Sequence, residues 1–319
     1  MIPFASKRTN PGVAISTGEA LGIESEDRVG RVNFLIRSVR AYLYRQPNTC
    51  PYCGNSDTKR LQTKKIVLQL RKCSRCQLMF RYPKDDLEFN RYFYQRAYRQ
   101  GFTTDAPSPA ELEQLLATNF VDIEKCLAET IALLRREKSS GRLLDYGCSW
   151  GYGVYQFAAA GYDAMGFEIS QPRASYGREH LGVKIVDSTN KLNRIEAESF
   201  DVIFCSHVIE HLPDPRQAFA DFRRLLSPSG VLFIYVPNCG GKLAREKGVG
   251  WGGMISEKHC LAIDAQFLAT CLPEFGFDPV FASSPYTSPF APLGPGNPLD
   301  GEELGVSARR SNAVASESA

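Results

Sequence analysis

The chain of 319 residues lacks long apolar runs and carries little net charge. Its 38 Lys and Arg residues nearly balance 35 Asp and Glu residues, and the formal net charge of +3 is too small to indicate nucleic acid by itself. No apolar stretch reaches the roughly 20 residues that a membrane-spanning helix needs. The N-terminal sequence MIPFASKRTNPG has no apolar core of the kind found in secretory signals. We therefore expect a cytoplasmic protein without a transmembrane segment.

Cysteine, in contrast, is abundant, with ten residues, and four of these form two C-x-x-C pairs. Each pair makes a tight turn that aims two thiolates at one point, so two pairs complete a tetrahedral four-sulfur shell. The segment KKIVLQLRKC between them has the β-branched content of a strand. The pattern resembles a zinc ribbon, and a disulfide pairing is the less favoured alternative. The predicted zinc ligands are Cys50, Cys53, Cys73 and Cys76.

The zinc is expected to be structural, because so short a segment cannot bury enough core alone. The ribbon is also basic. Its basic residues could contact nucleic acid, or they could form a solvent-exposed face without a partner. Residues 31–46 before it, RVNFLIRSVRAYLYRQ, have the apolar period of a basic amphipathic helix. This helix is expected to pack on its own protein, with peripheral contact to an anionic membrane as the less favoured alternative.

From residue 142 onward, short apolar strands alternate with helices, which predicts a parallel sheet covered on both faces. The first crossover, LLDYGCSWGYG, places glycines between a strand and a helix, where the backbone can approach a ligand closely. About twenty residues beyond Gly147, Glu168 closes the second strand, in the position from which an acid accepts hydrogen bonds from ribose hydroxyls. Together these features indicate a cofactor that contains a nucleoside.

The segments LLDYGCSWGYG, GFEIS, VDS, FDVIFCSHVIEHLPDP and LSPSGVLFIYVPN, in that order, resemble class I S-adenosylmethionine-dependent methyltransferases over about residues 141–310. The family's first motif reads D-x-G-x-G-x-G, and here Ser149 replaces the middle glycine. The loop is therefore expected to lie slightly further from the cofactor. A nicotinamide dehydrogenase is disfavoured, because its G-x-G-x-x-G spacing is absent.

The resemblance implies an α/β, Rossmann-like fold with a seven-stranded, mostly parallel sheet and helices on both faces, preceded by the small four-cysteine zinc ribbon. The last strand, expected at 303–309, would be antiparallel. S-adenosylmethionine is the implied cofactor. The residues that the resemblance places around it are Asp145, Tyr146, Gly147, Ser149 and Gly151 in the loop, Glu168 and Ile169 after the second strand, Asp187 and Ser188 after the third, and Ser206 and His207 after the fourth.

The string His207-Val-Ile-Glu-His211 also matches H-x-x-E-H, a zinc-metalloprotease pattern. That interpretation is rejected, because the string falls at a strand-to-helix junction and Pro213 leaves little room for a helix. In a methyltransferase it would form one wall of the site, where a base is needed only for a hydroxyl or protonated-amine acceptor. The catalytic candidates are His207 first, then Glu210, His211 and His259. For Glu210 and His211 a purely structural role is the favoured alternative.

The chain divides into a mobile N-terminus (1–30), an amphipathic helix (31–48), the zinc ribbon (49–82), a helical connector (83–140), the methyltransferase-like domain (141–310) and a disordered tail (311–319). Apolar spacing predicts one long helix in the connector, at about 109–136.

A zinc ribbon before a methyltransferase domain resembles enzymes of sugar, polysaccharide and secondary-metabolite pathways. This resemblance implies a small, sugar-like or secondary-metabolite acceptor that is methylated on oxygen or carbon. One alternative is an RNA methyltransferase that uses the ribbon to bind RNA. The other is a non-catalytic zinc-ribbon scaffold with a degenerate cofactor site, for which Ser149 is the only support.

Overall fold

A computed structural model describes residues 32, 34–85, 105–121, 123, 125–286, 289–294 and 298–311. Residues 1–45 and 46–319 form two compact units. In the first unit, helix α1 covers 34–43. The predicted N-terminal segment 1–30 and the tail from 312 lie outside the described residues. Among the described helices, none has the length and apolar character that crossing a membrane requires.

The second unit begins with a three-stranded antiparallel sheet, formed by β1 (Thr58–Lys64), β2 (Leu68–Cys73) and β3 (Met79–Tyr82). The single strand predicted between the two C-x-x-C pairs is therefore divided by a turn. Lys65 and Ile66 form that turn, with φ of 49° and 65°. A left-handed backbone at two successive residues cannot continue a β-strand, so the chain reverses there.

The four ribbon cysteines meet at one end of this sheet. Their sulfur atoms all lie within 4.8 Å of one another, and the Sγ–Sγ distances of Cys50 to Cys76 and of Cys53 to Cys73 are both 3.5 Å. Tetrahedral zinc with Zn–S bonds of about 2.3 Å separates its sulfurs by about 3.8 Å. The donor set and its spacing thus fit a structural zinc ion.

The connector contains two helices, α2 (Pro109–Ala117) and α3 (Ala128–Glu137), so the prediction of one long helix is wrong. Asn119 and Phe120 have positive φ, which ends α2. Phe120 is fully buried and packs against Trp150. The apolar period continues across the break because Phe120 is buried in a turn rather than on a helix face.

The remaining chain alternates strands and helices and builds the main sheet. Its elements are β4 (Arg142–Tyr146), α4 (Tyr152–Ala159), β5 (Asp163–Phe167), α5 (Gln171–Tyr176), β6 (Ile185–Val186), α6 (Thr189–Asn193), β7 (Phe200–Ser206), α7 (Arg216–Leu225), β8 (Leu226–Pro237), α8 (Lys242–Lys247), β9 (Leu261–Ala262), α9 (Ala265–Glu274), β10 (Phe277–Ser283) and β11 (Glu303–Arg310).

Seven of these strands form one sheet in the order β10-β11-β8-β7-β4-β5-β6. All neighbours are parallel except β11, which is antiparallel to both β8 and β10. The predicted fold class and its antiparallel last strand are confirmed. Strand order reverses between β4 and β7, and ligands of open α/β sheets bind in the crevice at the carboxyl ends of such a pair.

The ribbon is joined to this domain by β9, which pairs antiparallel with β3 and extends the small sheet to four strands. The Tyr52 ring meets Phe219 and Phe267 edge-on, and its hydroxyl donates to Glu274 at 2.5 Å. Aromatic contacts of this kind add to the apolar area that is buried. The ribbon therefore shares a core with the larger domain.

Substitution of Cys50→Ser together with Cys73→Ser should abolish zinc binding, because it removes half of the sulfur shell. We expect about one zinc per purified wild-type chain and almost none in the double variant, with a lower Tm because the metal contributes folding free energy. Elemental analysis and thermal unfolding measure both. Cys126→Ser, outside the cluster, is the matched control. Wild-type protein without zinc, or a double variant that retains it, would contradict the assignment.

Candidate active site

A cavity lies at the carboxyl ends of β4 and β7, below the glycine-rich loop that joins β4 to α4. Its position is the one expected for a ligand at the point where strand order reverses. The residues that line it are Leu127, Asp145, Gly147, Cys148, Tyr152, Gly153, Phe204 and Ser206. Sequence reasoning did not identify Leu127, which belongs to the connector and reaches the cavity only through the tertiary fold.

Two glycines of the loop are required by close contacts. Gly147 has a φ of +85°, and a Cβ added there would lie 2.3 Å from a methyl carbon of Val208. A Cβ at Gly153 would lie 2.4 Å from the Asp145 carboxylate. Any larger residue at either position would displace these neighbours. The contact with Val208 also places the His207–His211 string directly beside the loop.

Ser149, which replaces the family's middle glycine, has a φ of +52°. Its backbone N–H donates to one carboxylate oxygen of Glu168 at 3.0 Å, and Ser170 N–H donates to the other at 2.7 Å. The loop is thus held against the acid that ends β5 in spite of the serine. A glycine would adopt this left-handed backbone with less strain.

Two buried acids belong to this region, Asp145 in the cavity lining and Glu168 bonded to the loop, exposed by 5% and 7%. Burial, with the nearby charge of Glu168 second, raises the pKa of Asp145 to about 8. Burial also raises the pKa of Glu168, and this effect outweighs the hydrogen bonds accepted by its carboxylate, which lower the pKa. Buried carboxylates of this kind are stabilised by a ligand that brings positive charge or hydroxyl donors.

Other residues that the sequence assigned to the cofactor have local partners. The Tyr146 side chain lies in the core, with its hydroxyl 3.3 Å from Asp221, so only its backbone faces the loop. Asp187 pairs with Arg178 and Lys191, and Ser188 caps α6. Ile169 packs at the edge of the main core. Their predicted contacts with the cofactor stay predictions.

His207, the first candidate base, lies between two carboxylates. Its Nδ1 is 3.3 Å from Glu210 and its Nε2 is 2.9 Å from Glu303. Burial lowers the pKa of His207, but the two carboxylates outweigh that effect and raise it to about 10. The half-exposed ring is therefore protonated at neutral pH. A cation cannot accept a further proton, so this environment does not suit a general base.

Glu210, His211 and His259 form a second group, since His259 comes from the segment after β8. Glu210 is 1% exposed, and Nε2 of His211 lies 3.9 Å from its carboxylate. The two imidazole rings meet edge-on with centroids 4.7 Å apart. The sequence proposed all three as candidates, and the structure brings them together. Only a single 3-10 turn, Ile209–His211, follows β7 instead of a helix.

Backbone carbonyls define the tautomer of both rings in this group. Nδ1 of His211 is 3.1 Å from the carbonyl oxygen of Lys258, and Nδ1 of His259 is 3.3 Å from that of Gly253. A carbonyl oxygen only accepts, so each neutral ring carries its proton on Nδ1 and leaves a lone pair on Nε2. Burial lowers the pKa of His211 to about 4 and also lowers that of His259.

This geometry supports proton transfer, because a neutral imidazole can accept a proton and the Glu210 anion can stabilise the imidazolium that results. Burial raises the pKa of Glu210, but the neighbouring histidines, His207 first, lower it to about 2, so Glu210 itself stays ionised. The ligand atoms of Glu210, His211 and His259 also lie within 4.8 Å of one another. A group of this size can accommodate a divalent cation as well as a proton.

Comparisons with known proteins agree on one kind of domain. A family model described as Methyltransferase domain matches residues 119–281, about half of the chain. The ubiquinone biosynthesis O-methyltransferase of Actinobacillus pleuropneumoniae is 30% identical over 117 residues, which cover 32% of this chain and 50% of that relative. The enzyme of the same name from Hahella chejuensis is 33% identical over 103 residues, with coverages of 30% and 43%.

The chain thus spans about half the length of the curated relatives that it matches. Among solved structures, a SAM-dependent methyltransferase from Archaeoglobus fulgidus is 18% identical and superposes with a TM-score of 0.45. The match covers 62% of this chain and 99% of that one.

Glu168→Gln should weaken binding of S-adenosylhomocysteine at least about tenfold, because a hydrogen bond to a charged group contributes roughly 1.5–3 kcal/mol. The carboxylate accepts hydrogen bonds from two backbone N–H groups. In the glutamine, the side-chain NH2 group would face one of these N–H groups and could not accept from it. Isothermal titration calorimetry measures the change, and Glu179→Gln, an exposed acid on the following helical turn, is the control. Unchanged affinity in Glu168→Gln would remove the acid from the cofactor site.

Proposed function

Because the chain belongs to the methyltransferase-domain family, we propose that it transfers a methyl group from S-adenosylmethionine to a small-molecule acceptor. The observation that supports this most directly is the glycine loop with its two buried acids at the reversal of strand order, together with the contact of Val208, within the His207–His211 string, against Gly147. The names of the relatives, which are O-methyltransferases, support oxygen as the acceptor atom.

Residues of this chain fit the cofactor by charge and by hydrogen bonding. Asp145 and the loop amides would hold its methionine end, and Glu168 would accept from the ribose hydroxyls. Ser206 lines the same cavity from β7. The cofactor would supply a methyl group carried on a cationic sulfonium, and the thioether that leaves on methyl transfer is neutral and a good leaving group. The protein's main contribution is therefore alignment in a site that excludes water.

His211 is the residue that we assign to the acceptor's proton. Its Nε2 carries the lone pair, its tautomer is fixed by Lys258, and the Glu210 anion lies close enough to stabilise the imidazolium. His259 lies against the same ring, where it can contact the acceptor. His207 contributes positive charge beside Glu303, and this charge favours an acceptor oxygen that becomes more negative as it loses its proton.

A polyhydroxylated, sugar-like or secondary-metabolite acceptor suits this wall of the site. His207 is half-exposed and Glu303 is partly exposed, and His259 is also partly exposed. Such groups pair with the several hydroxyls of a small polar molecule. O-methylation of one hydroxyl would then place that oxygen at His211.

The RNA alternative has less support from the ribbon's basic residues, because three of them bond within the protein. Lys64 donates to the Ile255 carbonyl at 2.7 Å, Arg71 to the Thr58 carbonyl at 2.7 Å, and Lys72 to Gln266 at 3.2 Å. The alternative of a degenerate scaffold rested on Ser149, yet its amide is bonded to Glu168. No specific observation favours either alternative.

His211→Asn should lower kcat at least about a hundredfold, the typical contribution of a general base, and leave S-adenosylhomocysteine affinity unchanged. The neutral form of His211 is lost only as pH falls through its pKa of about 4. The acid limb of kcat/KM should therefore lie below the ordinary histidine value of 6.5, with activity rising as pH rises. The assay is a labelled methyl-donor screen over nucleotide sugars, glycans, phenolic metabolites and RNA.

His180→Asn, an exposed histidine, is the control for this substitution. Full activity in His211→Asn would remove the base from the mechanism. Activity that disappears with a chelator, returns with a divalent cation and leaves the ribbon's zinc in place would assign the Glu210 group to metal binding instead. Transfer to RNA alone would favour the RNA alternative.

A further inference from the structure

A buried arginine of the ribbon bonds to the segment that carries His259. Arg81, on β3, has a side chain that is 1% exposed. A charge this deeply buried requires partners, because desolvation is costly. Nη2 pairs with Asp85 at 2.5 Å, and Nη1 donates to the carbonyl oxygens of Ser256 at 2.5 Å and Glu257 at 3.2 Å.

These two carbonyls belong to a tight turn, residues 256–259. Within it, the Ser256 hydroxyl oxygen accepts from the backbone N–H groups of Lys258 and His259 at 3.2 and 3.0 Å. Ser256 N–H in turn donates to the His259 carbonyl. The Ser256 hydroxyl thus stabilises the turn through bonds within it, while Arg81 donates to two of the turn's carbonyls from another strand.

The same turn carries the two features that define the histidine group. Its Lys258 carbonyl fixes the proton of His211 on Nδ1, and its last residue is His259. Just beyond it, Cys260 N–H donates to the Glu210 carbonyl at 3.0 Å, and the Cys260 carbonyl accepts from Arg81 N–H at 2.8 Å. Arg81 therefore bonds to the chain on both sides of the residues that face His211.

We propose that Arg81 is a positioning residue of the active site, and that through it the zinc ribbon sets the tautomer of His211 and the place of His259. This inference rests on the proposed function for its catalytic consequence, although not for its geometry. Loss of the guanidinium frees the Ser256 and Glu257 carbonyls to rotate. The Lys258 peptide then loses its fixed orientation, and the His211 proton is no longer confined to Nδ1.

A purely stabilising arginine would lower Tm without altering an imidazole that it does not touch. The tautomer is therefore the decisive readout, and the chain is suited to measuring it because it has only four histidines. Two-bond ¹⁵N–¹H spectra of full-length, zinc-loaded protein with ¹⁵N-labelled histidine distinguish a protonated Nδ1 from a protonated Nε2. Single His→Asn variants assign the four rings.

The first variant is Arg81→Met combined with Asp85→Asn, since removing one partner alone would leave the other charge buried and unpaired. Arg81→Lys keeps the charge but offers a different donor geometry. Ser256→Ala loosens the same turn without touching the ribbon, and it provides a second route if the double variant fails to fold. Lys59→Met, a basic residue on the exposed strand β1, is the matched control.

In the wild type and in Lys59→Met, we expect His211 with its proton on Nδ1. In the double variant and in Ser256→Ala, we expect His211 as a mixture of tautomers, and the His180 signal unchanged. Zinc content and S-adenosylhomocysteine affinity should stay within about twofold, because neither site contacts Arg81. In the double variant and in Ser256→Ala, kcat for methyl transfer should fall roughly tenfold to a hundredfold. The kcat of Arg81→Lys should lie between that of the wild type and that of the double variant.

An unchanged His211 tautomer in the folded double variant, or in Ser256→Ala, would overturn the inference whatever happens to activity. A changed tautomer with undiminished methyl transfer would uphold the positioning by Arg81 and refute the role of His211 as base. The failures of the two proposals are therefore distinguishable.

Discussion

An ionised carboxylate that is only 1% exposed, as in Glu210, requires positive or hydrogen-bonding neighbours, because an isolated buried charge is very unfavourable. This requirement organises the whole site. It keeps His207 protonated on one side and brings His211 within 3.9 Å on the other. The backbone of the same residue accepts from Cys260 and so attaches the segment that carries His259.

The sheet and its glycine-rich loop were predictable because their signals are local. Buried parallel strands are short apolar runs, and a glycine loop followed about twenty residues later by an acid is a compact pattern. The closing strand β11 was also predictable, since Leu304, Val306 and Ala308 alternate with other residues, although here Gly305 and Ser307 are covered as well. The bond between the loop and Glu168 is made by the backbone amide of Ser149, so it does not require a glycine at that position.

The contacts that define the histidine group were not predictable, because they join distant residues. Lys258 is 47 residues from His211, and Ser256 is 175 residues from Arg81. A periodic pattern in the sequence does not identify contacts between residues so far apart in the chain. The charge of His207 was also hidden, since Glu303 approaches only after β11 inserts between β8 and β10. The break between α2 and α3 escaped detection because a buried turn residue, Phe120, has the same apolar character as a helix-face residue.

The segment between α8 and α9 connects the four-cysteine ribbon to the candidate active site. Its regular structure is limited to one 3-10 turn, Gly248–Gly250, and the two-residue strand β9. A short stretch of this kind is held in place by what it packs against. Here the partners include the ribbon, through β3, Arg81 and Lys64, and the larger domain, through Glu210 and Cys239. A zinc ion bound by the four cysteines would contribute folding free energy to a ribbon this small. Such an ion would therefore help to hold the turn that contacts His211 without touching a substrate, because it would keep β3 rigid and β3 pairs with β9 beside that turn.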